Sequence, residues 1–590
     1  MPETHLRSHL STLEGSGLIR QASGEPQPEY AFRHVLSLDA AYGSMLKQDC
    51  RRLHLDVGEC LERMSTESPD ELAPVLARHF DEAGDDARAL TYLLRAAESA
   101  ARRYATREAI LLLDRAQVIA LRGGSSGTVI CDVTIRAGQL RATVGDYDAA
   151  LATYDALEAL AAERDDLAMK AQAILARATI FCAPTSRFDA ERGKKEVNRA
   201  LQLAAILGDR VAESKALWLL LVVSKFESDM PGARRAGETS AAIARELGLK
   251  EQLAFTLNDL HMAYVMTGDP DKGLRALQEA EDLWREIGNL PLLADTLSNL
   301  GDMLQMAGQL SESERTVQEA IRIAEMTGNL WGQSFSRLIL AQILLAQGRY
   351  SESMREADIS VSIGKTAGFS ISQIWMPCHL AECLIDLGQP ERGLIVAREA
   401  LEAAASFLPS WRLYPLATAS LCATAMGDCA AATEAIVVAR PDRPVRDFST
   451  AQFILAEMEY VSACGTAETV LRTSTEASQV LNSFNCHIYQ PMILTCVSRS
   501  MRALGRFAES EGAALEAIAL AGQMGVRRWV WQAWSALTDV LGAQGREAEA
   551  GLARERARTE IAYIAGHAGG DNLRLSFLAL PDVRRILEES

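Results

Sequence analysis

The chain has 590 residues, 48% of them hydrophobic but only 6% aromatic, and 78 Asp and Glu outweigh 60 Lys and Arg to leave a formal net charge of -18. That acidity, with a pI near 5.1, excludes a surface built mainly to neutralise nucleic-acid phosphates, which takes clustered basic residues. Few aromatics and abundant alanine suit closely packed helices rather than a β-rich core. No uninterrupted apolar run reaches the length of a membrane span, and polar His5, Arg7 and His9 stand where a signal peptide would be apolar, so the expected location is cytoplasmic. The 11 cysteines form no Cys-x-x-Cys pair and read as reduced core residues.

In chain order, Leu6 to Leu13 predicts a helix. Gly17-Leu18-Ile19-Arg20, then Gly24, Pro26 and Pro28, then Tyr30-Ala31-Phe32-Arg33, predicts a β-hairpin, and a helix from Leu36 to Met64 follows. Helix, hairpin, helix is the order of the second half of a winged-helix domain.

From about residue 70 the chain is a repeat. Gly208, Gly248, Gly288, Gly328 and Gly368 form one series; Gly268, Gly308, Gly348 and Gly388, continued by Gly427, Gly465, Gly505 and Gly545, form another. Two glycine stops per period near 40 mean two helices per unit, each ended by a residue that tolerates the left-handed backbone of a helix exit. Around Gly308 the stripes are Leu297, Leu300, Gly301 and Leu304, then Val317, Ala320, Ile321 and Ala324. Gly301 and Ala320 are small where paired helices must approach. Ser186-Arg187-Phe188 and Ser228-Asp229-Met230 hold turn positions where the glycine is lost, and about eleven hairpins are expected between residues 70 and 565. Pro441 and Pro444 interrupt the array, predicting a bend or seam. After Gly566, Gly569 and Gly570, a short amphipathic stretch from Val583 to Leu587 predicts a cap. The expected class is all-α, divided as 1–65, 66–440, 441–565 and 566–590.

The pattern resembles the tetratricopeptide repeat, with Gly145-Asp146-Tyr147 and Ala150, and Gly84-Asp85 with Ala89 and Ala96, as its nearest matches, in a unit longer than usual. Tyr30-Ala31-Phe32-Arg33-His34, Asp39-Ala40-Ala41-Tyr42 and Arg51-Arg52-Leu53-His54 resemble the winged-helix region of STAND-type signalling ATPases, and more narrowly the bacterial members linked to class III nucleotide cyclase domains. Glu71-Leu72-Ala73-Pro74, Arg102-Arg103-Tyr104-Ala105 and Leu573-Arg574-Leu575-Ser576-Phe577 extend the likeness. The resemblance implies that residues 1–65 are a partial winged helix and that the chain is a fragment, a split product or a mis-started reading frame. It also implies that His34, at the place of the family's Met-His-Asp histidine, senses nucleotide when an ATPase module is supplied; the motif's acid is Val35 here. In tetratricopeptide arrays the first helix of each pair lines the concave face. By resemblance that face includes Asn258, Ser298, Asp302, Gln342, Glu382, Thr495 and Arg499, whose mixed polarity suits a protein or peptide; the plain alternative is a solvated face.

No chemistry is expected in this chain. Gly364-Lys365-Thr366 has Ile359 where a P-loop needs its first glycine, and it ends a repeat helix rather than joining strand to helix. His5 and His9 lack the glutamate of a zinc hydrolase, and Cys378, His379 and Cys383 lack a visible fourth ligand. Arg51-Arg52, Arg102-Arg103, Arg234-Arg235 and Arg527-Arg528 read as solvated pairs, and Trp529, Trp531 and Trp534 as terminal-repeat core. The expected function is a non-catalytic sensor or scaffold that binds a protein, peptide or effector on its concave face and regulates an ATPase or cyclase module, with no cofactor, metal, nucleic acid or membrane. A self-standing adaptor is the alternative, and a DNA-binding regulator the weaker one.

Overall fold

The computed structural model of the protein describes residues 3–23, 29–64, 71–103, 105–183, 185–227, 229–407, 411–439 and 448–588. Among them lie thirty helices and one two-stranded sheet, and the chain divides into two compact units, 1–143 and 144–590. The fold is all-α, a tetratricopeptide-like solenoid of paired helices, and no described helix is long and apolar enough to cross a membrane.

In the first unit, helix Glu3–Gly15 leads into strands Ile19–Ser23 and Glu29–Phe32, which pair antiparallel with Ile19 opposite Phe32. The turn residues Gly24, Pro26 and Pro28 lie outside the described residues. The single helix expected from Leu36 to Met64 is two, Val35–Gly43 and Lys47–Met64. Gly43 weakens the helix, and the Ser44 hydroxyl donates to Ala41 O at 2.7 Å, a local bond that competes with helix continuation. From Lys47 the helices stack as consecutive neighbours through Ala73–Ala83, Asp86–Arg102, Thr106–Arg122 and Gly127–Thr143, burying Leu76, Phe80, Leu93, Leu113 and Ile119. Tyr42, His54 and His79 join in a hydrogen-bonded chain of 2.8 and 3.0 Å.

In the second unit, Tyr147–Glu163 is followed by ten hairpins, from Leu167–Cys182 with Ala190–Leu207 to Val530–Ala543 with Glu547–Gly566. Their turns follow the glycine beat: every glycine of the two series except Gly465 has a positive φ, and Asp165 and Asn485 take that conformation where glycine is absent. The next residue often starts the following helix. Asp209, Asn289 and Asn329 each accept from the backbone N–H three places on, which satisfies a donor the helix itself leaves free. Small residues then decide how closely paired helices approach. A Cβ on Gly301 would stand 2.3 Å from Val317 Cγ2, and the Ser313 hydroxyl fits the crossing to donate to Gly301 O at 2.6 Å. One repeat later Ser353 donates to Ala341 O at 2.8 Å.

The solenoid coils tightly enough that successive turns touch. Met306 ends its helix with a carbonyl that lacks an intrahelical partner, and the N–H groups of His487 and Ile488, just before helix Gln490–Ala503, donate to it at 2.8 and 3.1 Å. One repeat on, Ala346 O accepts from Arg527 and Arg528 N–H at 2.9 and 3.2 Å. The same joint continues at Ser351 N–H to His567 O, 2.8 Å, and at Gln389 to Ser576 Oγ, 2.9 Å. Earlier in the coil Phe188 packs on Ile374 and Ala404, and the Phe226 ring stacks on Trp411 with centroids 6.2 Å apart.

Three expectations change here. Arg527-Arg528 is not a solvated pair, because Arg528 is 7% exposed and bonds Glu382 at 2.8 Å and Asp386 at 2.6 Å across the turn. Burial works against its charge, yet Asp386 and Glu382 hold its pKa well above the ordinary arginine value. The cysteines are not all reduced, since Cys429 opens helix Cys429–Ala439 beside Cys464 at the end of helix Phe448–Cys464, and the two form a disulfide with Cα atoms 5.9 Å apart. The C-terminal helices do more than cover an end. Phe577, Val583 and Ile586 share one core with Tyr350, Leu387 and Trp531, so they fill the space between turns of the coil. Pro441 and Pro444 lie outside the described residues, as do Tyr104 and Ser228.

Replacing Arg528 with alanine strands the buried Glu382 carboxyl and the partly buried Asp386 one, so Arg528→Ala should lower the stability of the unit by about 3–5 kcal/mol. Urea unfolding followed by tryptophan fluorescence measures this. Arg506→Ala, which breaks an exposed pair with Glu509, should leave the midpoint where it is.

Candidate functional site

The coil leaves a cavity of about 710 Å³ at its centre, and the first helices of successive hairpins wall it. Residues three or four apart share one face of a helix. Helix Arg210–Phe226 thus contributes Trp218, Val222 and Lys225; helix Lys250–Met266 contributes Asn258, Asp259, Met262 and Met266; helix Leu290–Met306 contributes Asp295, Asn299, Asp302 and Met306. Trp331, Phe335, Trp375 and Trp411 complete an aromatic side, with the Trp375 and Trp411 centroids 5.5 Å apart.

The polar side is partly self-satisfied. Asp259 accepts from Lys225 Nζ at 2.7 Å and from Trp218 Nε1 at 2.8 Å. Asn258 donates to Asp295 Oδ2 at 3.0 Å, and its carbonyl oxygen accepts from Thr296 Oγ1 at 2.9 Å and Asn299 Nδ2 at 3.2 Å. His261 Nδ1 is bonded to Asn258 O, and burial, reinforced by Lys225, brings this histidine down to about 4, so it is neutral near pH 7. Two carboxyl oxygens are left over: Asp295 Oδ1 and Asp302 Oδ1 are buried without a hydrogen-bond partner. Burial, with the charge of Asp259 added, pushes the Asp295 carboxyl up to about 6, and burial alone pushes Asp302 up to about 7. Perturbed carboxyls in a polar and aromatic cleft mark a candidate binding site.

The concave-face residues expected from sequence divide between this cavity and the packed coil. Asn258 and Asp302 are in the cavity wall. Ser298 is buried against Ser336, hydroxyl to hydroxyl at 2.7 Å, and Thr495 is buried with its hydroxyl on Pro491 O at 2.7 Å. Glu382 accepts from Tyr414 at 2.6 Å besides Arg528, and Gln342 lies beside it at a small void with neither amide atom bonded. Arg499 is half-buried, within electrostatic reach of Glu459. His34 lies in the other unit, exposed, as the residue before helix Val35–Gly43, and its side chain makes no capping bond. Among the described residues no group of three or more His, Cys, Asp or Glu is placed to hold a metal.

Sequence reading missed Lys225, Asp259, Asp295, Asn299 and the aromatic side. A signal was present in helix Leu290–Met306, where Asp295, Asn299 and Asp302 recur every three to four residues among Leu293, Leu297, Leu300 and Met303. A polar stripe on an apolar helix asks for a polar neighbour or a ligand.

Residues 252–326 match the tetratricopeptide repeat family model. No curated protein matches the chain. Among solved structures it is similar to a Pyrococcus horikoshii signal transduction ATPase with numerous domains that has a tetratricopeptide repeat sensor, at 15% identity and a TM-score of 0.35, over 69% of this chain and 55% of that one. The chain thus spans about half of that protein's length. It is also similar to yeast Tom70, at 12% identity and a TM-score of 0.31, over 85% of this chain and 99% of that one. A Rap protein complexed with competence and sporulation factor is similar at 9% identity and a TM-score of 0.34, over 74% and 98% of the two chains. Likeness at this level carries no residue roles across.

Raised carboxyl pKa values have a stability consequence. The native state holds the Asp302 proton more tightly than the unfolded chain, whose carboxyl titrates near 3.8. The resulting stabilisation is complete below pH 3.8 and is lost as pH rises through about 7. Asp302→Asn should therefore unfold at higher urea than the unmodified chain at pH 8, by on the order of 2 kcal/mol, with the gap closing toward pH 4. A gap of equal size at both ends of that range contradicts the placement of this carboxyl.

Proposed function

We propose that this chain is a non-catalytic effector sensor: a tetratricopeptide-like superhelix that takes a small ligand or short peptide into its central cavity and passes the bound state to a signalling ATPase or cyclase module. The observation that carries this reading is the cavity whose lining combines carboxyls that keep unpartnered oxygens with an aromatic side. Its volume falls in the range that holds ligands of drug size, roughly 300–1,000 Å³. An adaptor for whole proteins would use an open concave face, and burial of Ser298, Gln342, Glu382 and Thr495 weighs against that. Asn258 and Asp302 are the proposed ligand contacts among the residues expected from sequence.

In this reading residues 1–65 are the partial winged helix that meets the regulated module, 66–440 and 441–565 the two parts of the superhelix, and 566–590 the cap. Exposure of Val35 at 72%, Leu36 at 82% and Leu46 at 73% supports a docking role for the first segment, since large apolar side chains grouped at a surface mark an interaction site. His34, next to Val35, is the proposed nucleotide contact once an ATPase module is supplied.

Native mass spectrometry of the full chain, incubated with a cell extract filtered to retain only small molecules and short peptides, tests the cavity. A bound adduct is expected, and Asn299→Trp, which narrows the cavity beside Asp295 and Asp302, should weaken it while preserving the helical circular dichroism spectrum. No adduct, or one that the Asn299→Trp chain holds as strongly, contradicts the proposal.

A further inference from the structure

Two helices that wall the cavity at one end are bonded to each other at the opposite end. Helix Cys429–Ala439 brings Val437, Val438 and Ala439 to the lining, and helix Phe448–Cys464 brings Ser449. Their far ends meet in the Cys429–Cys464 disulfide, and along the way the Thr433 and Tyr460 hydroxyls lie 2.8 Å apart. The bond therefore crosses from the second helix of one hairpin to the first helix of the next. Helix Cys429–Ala439 depends on that tie. It has 11 residues where the second helices of the hairpins on either side have 18 and 16, and it buries only Ala432, Ile436 and Ala439. Val437 and Val438, in the cavity lining, remain 68% and 53% exposed. The bond is also reachable, since Cys429 is exposed and Cys464 half-buried, whereas seven of the nine free cysteines are buried. One accessible disulfide among so many thiols is not the framework of a disulfide-stapled domain; exposed bonds of this kind are the labile, regulatory ones.

We infer that Cys429 and Cys464 are a reversible thiol–disulfide exchange site, and that their redox state sets how firmly helix Cys429–Ala439 closes the cavity. The reductant is a dithiol. One of its thiolates attacks the sulfur of Cys429, the more exposed residue, forming a mixed disulfide while Cys464 leaves as a thiolate and takes up a proton. The second thiol of the donor then attacks the donor's own sulfur in the mixed disulfide, and Cys429 leaves in the same way. Two electrons and two protons pass to the chain, the dithiol becomes a disulfide, and a small disulfide oxidant reverses the exchange. Once both cysteines are thiols, the helix rests on three buried side chains and on hydrogen bonds such as that from the Ser420 hydroxyl to Ala432 O at 3.2 Å. Its local opening then costs less, and the wall at Val437–Ala439 loosens with it. That a ligand feels this loosening rests on the cavity being the effector site proposed above; the exchange itself does not.

Hydrogen exchange of the full chain, followed by mass spectrometry after equilibration with oxidised glutathione and after reduction with dithiothreitol, tests the inference, with maleimide labelling to report accessible thiols in each state. Reduction should open Cys429 and Cys464 to labelling and speed exchange in helix Cys429–Ala439 by about tenfold, leaving helix Leu330–Ala346 unchanged. The double variant Cys429→Ser with Cys464→Ser should exchange like the reduced chain in both buffers, which excludes the other cysteines. A bond that oxidised glutathione does not form, or that dithiothreitol does not break in the native chain, overturns the inference, and so does reduction that leaves exchange in this helix unchanged. Should the double variant fail to fold, the two redox forms of the unmodified chain decide alone. Native mass spectrometry with the filtered extract tests the link to the cavity: a weaker adduct on the reduced chain is expected, and one held equally in both forms overturns that link. Absence of any adduct from the oxidised chain counts against the effector reading alone, and hydrogen exchange still decides the exchange site.

Discussion

A helix carbonyl with no partner of its own meets two amide donors with none of theirs, and the second unit depends on that joint. Met306 O with the N–H groups of His487 and Ile488, and Ala346 O with those of Arg527 and Arg528, are the same contact made twice, moved by one repeat on both sides. The negative end of one helix faces the positive end of another, so the dipoles add to the hydrogen bonds. Each bond is worth only about 1 kcal/mol net. Repetition, with Arg528 buried between Glu382 and Asp386 beside it, is what turns a string of hairpins, each touching only its neighbours, into a coil whose turns lean on one another.

That closure explains the site. A solenoid of wide pitch leaves its concave face open to solvent, and its side chains there need no special account. Here the turns touch, the inner faces of the first helices are drawn together, and most polar residues on them find partners within the coil, as Ser298 does with Ser336 and Glu382 with Tyr414 and Arg528. Where the inner wall holds Asp295 and Asp302, it does not close on itself, and a cavity remains. A ligand there shifts the coil only through its different affinity for two spacings of the turns. The joints at Met306 and Ala346 are the contacts that such spacing would stretch.

Local structure was legible because helix exits have a residue-level cause. Gly268 and Gly308 turn the chain at φ +86° and +82°, a conformation other residues rarely adopt, and their recurrence gave the helix pairs. Gly301 against Val317 shows the small-residue positions for the same reason, since a Cβ has no room there. The closure was not legible. Met306 and His487 stand far apart in sequence, and the bonds between them use main-chain atoms that every residue has. Helical periodicity reports which face is apolar, not which distant loop will cover it, so Arg528 read as a surface charge and Glu382 as a groove residue. The Cys429–Cys464 bond likewise follows from how two helices lie side by side, which no spacing motif records. The break at Ser44 came from one glycine and one hydroxyl inside an otherwise helical pattern.

Hydrogen exchange at the amides of His487, Ile488, Arg527 and Arg528 tests the closed coil most directly, because nothing within their own helices protects them. The account predicts that all four exchange as slowly as amides inside helix Leu330–Ala346, and that destabilising one joint speeds both. Exchange of these four as fast as that of exposed turn amides would show that successive turns do not hold one another, and the cavity would go with them.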